Sequence, residues 1–469
     1  MKIAFLHYHL KPGGVTTVLR NQVDALGGDA DCIILSGAPP PSSFPCPVIH
    51  IPGIGYDEND AVAGPPEKTA AAIATALHDH FGEHCDILHI HNPLLAKNHL
   101  FLDIIRALQK LGLTLFLQVH DFAEDGRPGV FFYDGSYPQD CHYGVLNLRD
   151  YHILIDAGLV AEGVHYIPNG VVPFDASPVS PTESYGLYPV RAIRRKNIGE
   201  ALLVSLFLPE NDALYITQPP NSPADFPSYN HWKSYVKAHH LPVHFEMGTQ
   251  RNFQRLVAGA KWVLSTSIAE GFGFAFLEPW TAGKLLTGRI LPEICQDFLN
   301  RGIRLEHLYA GIQVPKDWIG SQCIVDRFHA CLTVNRQAFG AIWPDEWLED
   351  CLHTLQQNET IDFGMLDEGF QTTIIDKIRQ DPAQRNELIR LNPILETMFS
   401  MKHPTEMIGH NRDRVVSLYH PDRYRERLIE IYTHILKRPV QQFIDKKALL
   451  SGFLYLNNFS LLKWSAYHG

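Results

Sequence analysis

No C-x-x-C pair occurs among the eight cysteines of this 469-residue chain, which fits reduced thiols in a large intracellular protein better than a disulfide framework. No stretch approaches the roughly eighteen uninterrupted apolar residues of a membrane span. The opening MKIAFLHYHL has neither a basic leader nor a small-residue cleavage site, so it reads as a mature N-terminus and a cytoplasmic location is expected. Basic runs are equally scarce. The longest is Arg191-Ala-Ile-Arg-Arg-Lys196, and with a formal net charge of −11 a phosphate-neutralising nucleic-acid groove is excluded. G-x-G-x-x-G and Gly-Lys-Ser/Thr are both missing, which removes the best markers of nicotinamide binding and ATP hydrolysis. No short internal repeat is present.

What is present is an ordinary globular composition, 45% hydrophobic and 19% charged, in a chain too long for one core. Short apolar runs (KIAFLHYH, DCIILSG, PVIHIPG, DILHIHNP, LTLFLQVHDF, VHYIPNGV) alternate with helical patterns such as TAAAIATALHDHF and HLFLDIIRALQKLG. Continuous branched and aromatic runs between amphipathic segments predict a doubly wound parallel sheet. The fold class is therefore α/β, with a first Rossmann-like domain over residues 1–172. A Pro/Ser-rich stretch, PFDASPVSPTESYG, predicts a linker over 173–185. The pattern then restarts (YPVRAI, ALYITQPP, PVHFEMG, KWVLSTS) and predicts a second Rossmann-like domain over 186–420. Residues 421–469 are expected to return to the first domain as helices.

Ligands of such sheets lie at the carboxyl ends of the strands, which directs attention to three places. Gly13-Gly14 follows the first strand and precedes a helix, where backbone N–H groups approach a phosphate or sugar closely, although a plain loop turn explains the pair equally well. Arg191 and Lys196 flank the end of the YPVRAI strand, where two cations neutralise a diphosphate and arginine adds a planar fork, unless they form only a solvated basic turn. In STSIAEGFGFAFLEPWTAG, a glycine-rich bend separates Glu270 from Glu278 and is expected to open a short or irregular helix whose first amides face an anion. Acceptor-only carboxylates at this spacing suit the gripping of sugar hydroxyls.

Three other features read as structural. Asp29-Ala-Asp31 is a D-x-D, but it precedes its strand, the wrong end for a nucleotide-bound metal. His78, His80, His84, Cys85, His89 and His91 invite a zinc site, yet only His89 and His91 share a strand face, and satisfied surface or strand-end histidines are expected instead. The aromatic C-terminal segment is expected to pack on the protein rather than lie on a membrane.

The motifs, taken in order, resemble a known family. PGGVTTVLRNQ, DILHIHNP, the LQVHD strand end, HYIPNGV, the Arg-x4-Lys-Asn of RAIRRKN and the Glu-x7-Glu of EGFGFAFLE are similar to retaining nucleotide-sugar glycosyltransferases of the GT-B fold, family four. The likeness covers roughly residues 1–290, with a weaker echo from about Ile361 to Leu436, where IIDKIRQDPAQRNEL resembles one closing helix. It departs from the family after Arg289, where an atypical segment of about 290–360 follows, and at Val190, where the family commonly has glycine.

The resemblance implies two Rossmann-like domains facing across a cleft. Glu270 would bond hydroxyls of the donor sugar and Glu278 the ribose. Arg191 and Lys196 would neutralise the diphosphate, helped by amides around Gly271, Phe272, Gly273 and Phe274 and by Gly14. His120 would lie beside the transferred sugar with Asp121 nearby, His91 would line the cleft, and Asn169 would sit near the hinge. The implied activity is retaining, metal-independent transfer of a hexose, with a UDP-sugar favoured, to a small-molecule or glycan hydroxyl. No cofactor and no metal are expected. A phosphorylase or glycoside hydrolase on related architecture and a non-catalytic nucleotide-sugar sensor remain alternatives; the nucleotide, sugar, acceptor and oligomeric state stay open.

Overall fold

The computed structural model describes residues 1–39, 43–57, 64–174, 183–401 and 404–467. Its chain divides into two compact units. The first comprises Met1–Gly170, Ala338–Trp343 and Tyr419–Phe453; the second comprises Val171–Gln337, Pro344–Leu418 and Leu454–Gly469. Most of the expected linker, residues 175–182, lies outside the described residues, and Tyr185, its expected last residue, already opens a strand. The return segment is shorter than expected: the chain from Leu454 onward groups with the second unit, not the first.

The first unit is built on seven strands, β1 (Lys2–His7), β2 (Asp31–Ser36), β3 (Val48–His50), β4 (Ile87–His91), β5 (Leu115–Val119), β6 (His142–Val145) and β7 (Val164–Tyr166), in the order β3-β2-β1-β4-β5-β6-β7. Every pairing is parallel. Alternate residues serve opposite faces, as the pleat requires. Ile3, Phe5, Ile34, Ile87 and Phe116 pack with α1 (Gly14–Leu26) and the helix Pro421–Lys437, whereas Ala4, Leu6, Ile33, Leu35, Leu88 and Ile90 pack with α2 (Pro66–Phe81) and α3 (Phe101–Lys110). With both faces covered, the apolar runs seen in the sequence are the strands of a buried parallel sheet. Helix α2 carries Pro66 in its first turn and ends on Gly82 at φ 73, the start and stop chemistry of a regular helix.

The second unit holds β8 (Tyr185–Arg191), β9 (Ala213–Gln218), β10 (Val243–His244), β11 (Trp262–Ser265) and β12 (Leu285–Gly288), all parallel, in the order β10-β9-β8-β11-β12. Two further strands, β13 (Gln313–Pro315) and β14 (Thr360–Asp362), pair antiparallel. They bracket the helices Ser321–Phe339 and Trp347–Gln357, so the atypical segment is a helical excursion pinned at its base by a ribbon. The segment IIDKIRQDPAQRNEL is not one helix: Glu368–Gln380 ends and Pro382–Leu391 begins at Asp381, whose side chain caps Ala383 N. Pro382 cannot continue the preceding helix but is well placed to start a new one.

Each sheet reverses its strand order once, between β1 and β4 in the first unit and between β8 and β11 in the second. A crevice opens beyond the carboxyl ends of the two diverging strands at such a point. No helix of the described residues is long and apolar enough to cross a membrane. In the C-terminal segment Leu449, Leu450, Phe453, Leu461, Leu462 and Trp464 are buried against the protein.

Candidate functional site

In the second unit the site begins with an irregular strand. Pro189 has no N–H to give the ladder, and the β8–β9 register slips between Tyr188 and Arg191, as a bulge around proline does. Arg191 leaves the strand with Nη1 donating to Pro219 O at 3.3 Å. Among the described residues it makes no ion pair. The chain then turns through a 3-10 helix, Arg194–Lys196, and closes on Asn197 at φ 51, a left-handed conformation that asparagine tolerates.

This turn is braced from several sides. Tyr188 OH donates to Lys196 O at 2.6 Å, and Thr266 Oγ1 donates to the same oxygen at 3.1 Å. Asn197 Nδ2 donates to Glu200 Oε2 at 2.7 Å, in α5 (Ile198–Ser205), and Gln371 Nε2 donates to Asn197 Oδ1 at 2.9 Å. So positioned, Lys196 Nζ donates to Glu270 Oε1 in an ion pair whose side chains are only 13% and 12% exposed. Burial pushes the Glu270 carboxyl up, but the charges of Lys196 and Arg195 and hydrogen bonds from Lys196 and Ser267 outweigh it and hold the group below its usual range. Glu270 is therefore an ionised acceptor. Arg194 is occupied elsewhere, bonding Glu368 through Nε and Nη2 at 2.8 and 2.9 Å.

The glycine-rich bend after β11 turns at Gly273, φ 89, where a Cβ would lie 2.9 Å from Phe276 Cδ2. Only glycine fits such a position. Phe274–Phe276 then form one 3-10 turn and Glu278–Thr281 a four-residue α-helix with Pro279 in its first turn. The helix over AFLEPWTAG is thus short and irregular, as expected, and its two fragments are too short to add up an appreciable dipole. Phe272 is 4% exposed and packs edge-on against Phe274 and Phe298; its side chain is core, leaving only its backbone for a ligand. Gly271 is half-buried.

Glu278 differs from Glu270. Solvent reaches its side chain, and among the described residues it has no side-chain partner, yet the crowding protein strips away enough water to push the carboxyl up to about 7. The structure joins Lys196 directly to Glu270 and does not join Arg191 or Glu278 to either of them.

In the first unit, β4 and β5 end in a set of histidines. His91 Nδ1 lies 2.8 Å from His120 Nε2, the rings stacked at 5.1 Å, and His91 stacks in turn on His89 at 4.5 Å. All three are buried. Burial lowers His91 well below its ordinary value, assisted by His89, His120 and His7, and lowers His120 to about 4 against the opposing charge of Asp121. These are neutral imidazoles near pH 7. Asn92, at φ 55, accepts from the backbone N of His120 and Asp121 at 2.7 and 3.0 Å, which clamps the ends of β4 and β5 together. Asp121 pairs with Arg127 at 2.7 Å.

Gly14 opens α1, and a Cβ there would meet nothing within 4 Å, so protein packing alone does not call for glycine. Asn169 is buried beside the boundary of the unit, its Oδ1 without a partner among the described residues. Asp31 opens β2 and Asp29 precedes it, at the amino end of that strand. His78 and His80 lie in α2 and His84 beyond it. His89 and His91 are each held through Nδ1, by Tyr432 OH at 2.9 Å and His120 Nε2 at 2.8 Å, while their Nε2 atoms are buried without a hydrogen-bond partner among the described residues.

Sequence reading missed three participants. His7, at the end of β1, faces His91 O through Nδ1 at 3.4 Å; its strand-end position in KIAFLHYH was the available signal. Arg195 contributes charge to Glu270 from the same basic cluster as Arg191 and Lys196. Arg289 anchors the far side of the Lys196 turn: it bonds Glu200 at 2.9 and 2.6 Å and Asp362 at 2.7 and 2.8 Å. Nothing in its spacing announced that network.

No protein-family model matches the chain. Over 337 residues it is 28% identical to mannosylglucosyl-3-phosphoglycerate synthase of Petrotoga mobilis, a stretch that spans 63% of this chain and 66%, just under two thirds, of that protein. Among solved structures it resembles sucrose-phosphate synthase from Thermosynechococcus elongatus (TM-score 0.53, 14% identity, 92% of this chain and 98% of the other). The Anabaena protein HepE in complex with UDP-glucose has the same score, identity and coverage. A glycosyltransferase from Rickettsia africae has a TM-score of 0.54 at 12% identity, covering 93% and 99%. At these identities the structural matches speak for the fold. The chain thus has the GT-B fold of two Rossmann-like units and resembles the nucleotide-sugar glycosyltransferases built on it, the family-four group included.

Proposed function

We propose that the chain is a retaining, metal-independent glycosyltransferase that moves a hexose from a nucleotide diphosphate sugar, UDP-sugar favoured, to a hydroxyl acceptor. The observation that carries this reading is the Lys196–Glu270 pair, which joins the ends of β8 and β11 where the second sheet reverses its order. Cleavage of the anomeric bond leaves negative charge on the diphosphate and positive charge on the sugar ring. Lys196 and Arg191 answer the first, each preorganised donor worth a few kcal/mol in the transition state. Glu270, ionised and fixed by Lys196, accepts from sugar hydroxyls, and Glu278 accepts from the ribose.

In the first unit, the neutral His120 bonds the transferred sugar, with Asp121 nearby, and the amides at Gly14 approach the phosphate. His91 supports His120, and Asn169 serves beside the unit boundary. Front-face displacement, in which the departing phosphate takes the proton of the acceptor, needs no protein nucleophile and retains the anomeric configuration. The name of the Petrotoga relative describes a mannosylglucosyl product, which places mannose beside glucose among the donor sugars to try. A cytoplasmic site of action belongs to the same reading.

The test is nucleotide release from UDP-, GDP- and ADP-hexoses in wild type and in Lys196→Ala, Arg191→Ala and Glu270→Ala. Each variant is expected to lose at least about 100-fold in rate, the scale of one lost transition-state donor, while keeping its circular dichroism. Full activity in any one of them removes that residue from its role.

One observation favours a second reading. Glu270 and Glu278 titrate in opposite directions, as the base and acid of a glycoside hydrolase do. Hydrolysis of aryl glycosides without any nucleotide dependence would establish it instead.

A further inference from the structure

We propose that His91 is a positioning residue: it donates Nδ1–H to His120 Nε2 and so holds His120 in the tautomer whose Nδ1 carries the proton and donates to a substrate oxygen. The use of that donor rests on the glycosyltransferase reading; the tautomer does not.

The two rings are 2.8 Å apart through His91 Nδ1 and His120 Nε2, so one of these nitrogens carries the proton and the other accepts it. If His120 donated, His91 would carry its own proton on Nε2. That atom is buried with no partner among the described residues, and an orphaned buried N–H is rarer and costlier than an orphaned acceptor. If His91 donates, only a lone pair is left bare at Nε2. His120 must then carry its proton on Nδ1.

The surroundings hold this choice in place. His91 is stacked between His89 and His120, at 4.5 and 5.1 Å, with His7 edge-on at 6.4 Å and Phe5 at 6.1 Å, so its ring is packed among four others. His120 keeps 8% of its surface exposed, whereas His91 and His89 keep none. Its Nδ1 is not among the enclosed, partnerless atoms. The outcome is a neutral N–H donor at the carboxyl end of β5, suited to gripping a hydroxyl or ring oxygen and unsuited to removing a proton.

The test is long-range proton–nitrogen correlation NMR on protein labelled in its histidine rings, with His120→Gln to assign the signals. The expected wild-type result is a protonated, pyrrole-type Nδ1 and a pyridine-type Nε2 on His120. His91→Asn, whose amide N–H occupies the place of Nδ1, is expected to preserve that pattern and most of the turnover. His91→Phe is expected to shift His120 toward protonated Nε2 and to lower kcat about tenfold, the worth of one hydrogen bond, with little change in KM.

A wild-type His120 protonated at Nε2 in an active enzyme overturns the proposal alone. An unchanged tautomer and unchanged kcat in His91→Phe overturn it as well, and should that variant fail to fold, the wild-type and His91→Asn spectra still decide. The expected tautomer without transfer from any nucleotide sugar overturns the glycosyltransferase reading and, with it, the substrate half of the proposal.

Discussion

Glu278 is the residue whose chemistry is easiest to move with pH. Its carboxyl is pushed up to about 7 from an ordinary 4.5, so the folded protein binds a proton that the unfolded chain has released. Stability contributed by that proton is full below about 4.5 and is lost as pH rises to about 7. Nucleotide binding is expected to run the other way, because ribose hydroxyls need the ionised acceptor. Titration calorimetry should show affinity rising through about pH 7 in wild type and no such rise in Glu278→Gln; the same slope in both would remove Glu278 from the ribose. Glu270 behaves oppositely: held below its usual range, it loses its stabilising contribution only as pH falls below about 4.5. Sequence motifs located both carboxylates. Their opposite ionisation was not legible, because it depends on Lys196, 74 residues from Glu270 along the chain.

Among the elements, the turn Arg194–Lys196 owes its shape to partners scattered over the second unit. Arg289 follows β12, Glu200 lies in α5 and Asp362 closes β14, so one guanidinium joins both sheets of that unit. Burial and the partner carboxylates act on this set together: desolvation raises Glu200, while Arg289 opposes it. Breaking a buried pair by removing one partner costs about 3–5 kcal/mol. Arg289→Ala is therefore expected to lower the melting temperature by roughly 10 °C, at ~2–4 °C per kcal/mol, and to weaken nucleotide binding through Glu200 and Asn197. A melting point within a degree or two of wild type would show the network to be incidental.

The atypical segment, legible only as a departure from the family pattern, supplies β13 and leads directly into β14, which carries Asp362. Local rules served well where they were strong, as at Pro66 and Gly82 for α2. They served also at AFLEPWTAG, where Pro279 and the turn at Gly273 leave the short, irregular helix expected there, and failed at Asp381-Pro382, where one expected helix became two.

For the whole molecule, the alternation of buried runs and amphipathic helices was enough to read two parallel α/β sheets, because a doubly covered sheet writes its burial directly into the sequence. The path of the chain between units was less legible. Ala338–Trp343 and Tyr419–Phe453 group with the first unit and the chain from Leu454 with the second, assignments set by tertiary packing that no local pattern encodes. The central claim is that the second unit binds a nucleotide diphosphate through Lys196 and Arg191 without a metal. A thermal-shift panel of UDP, GDP, ADP and their glucose and mannose conjugates, with and without chelator, on wild type and Lys196→Ala, tests it most directly. Ligand at about 100 times its Kd adds roughly 2.7 kcal/mol, or ~5–10 °C in a unit of this size. The account predicts that shift for one nucleotide series, unaffected by chelator and absent from the variant; no shift with any nucleotide, or one that needs a divalent ion, would contradict it.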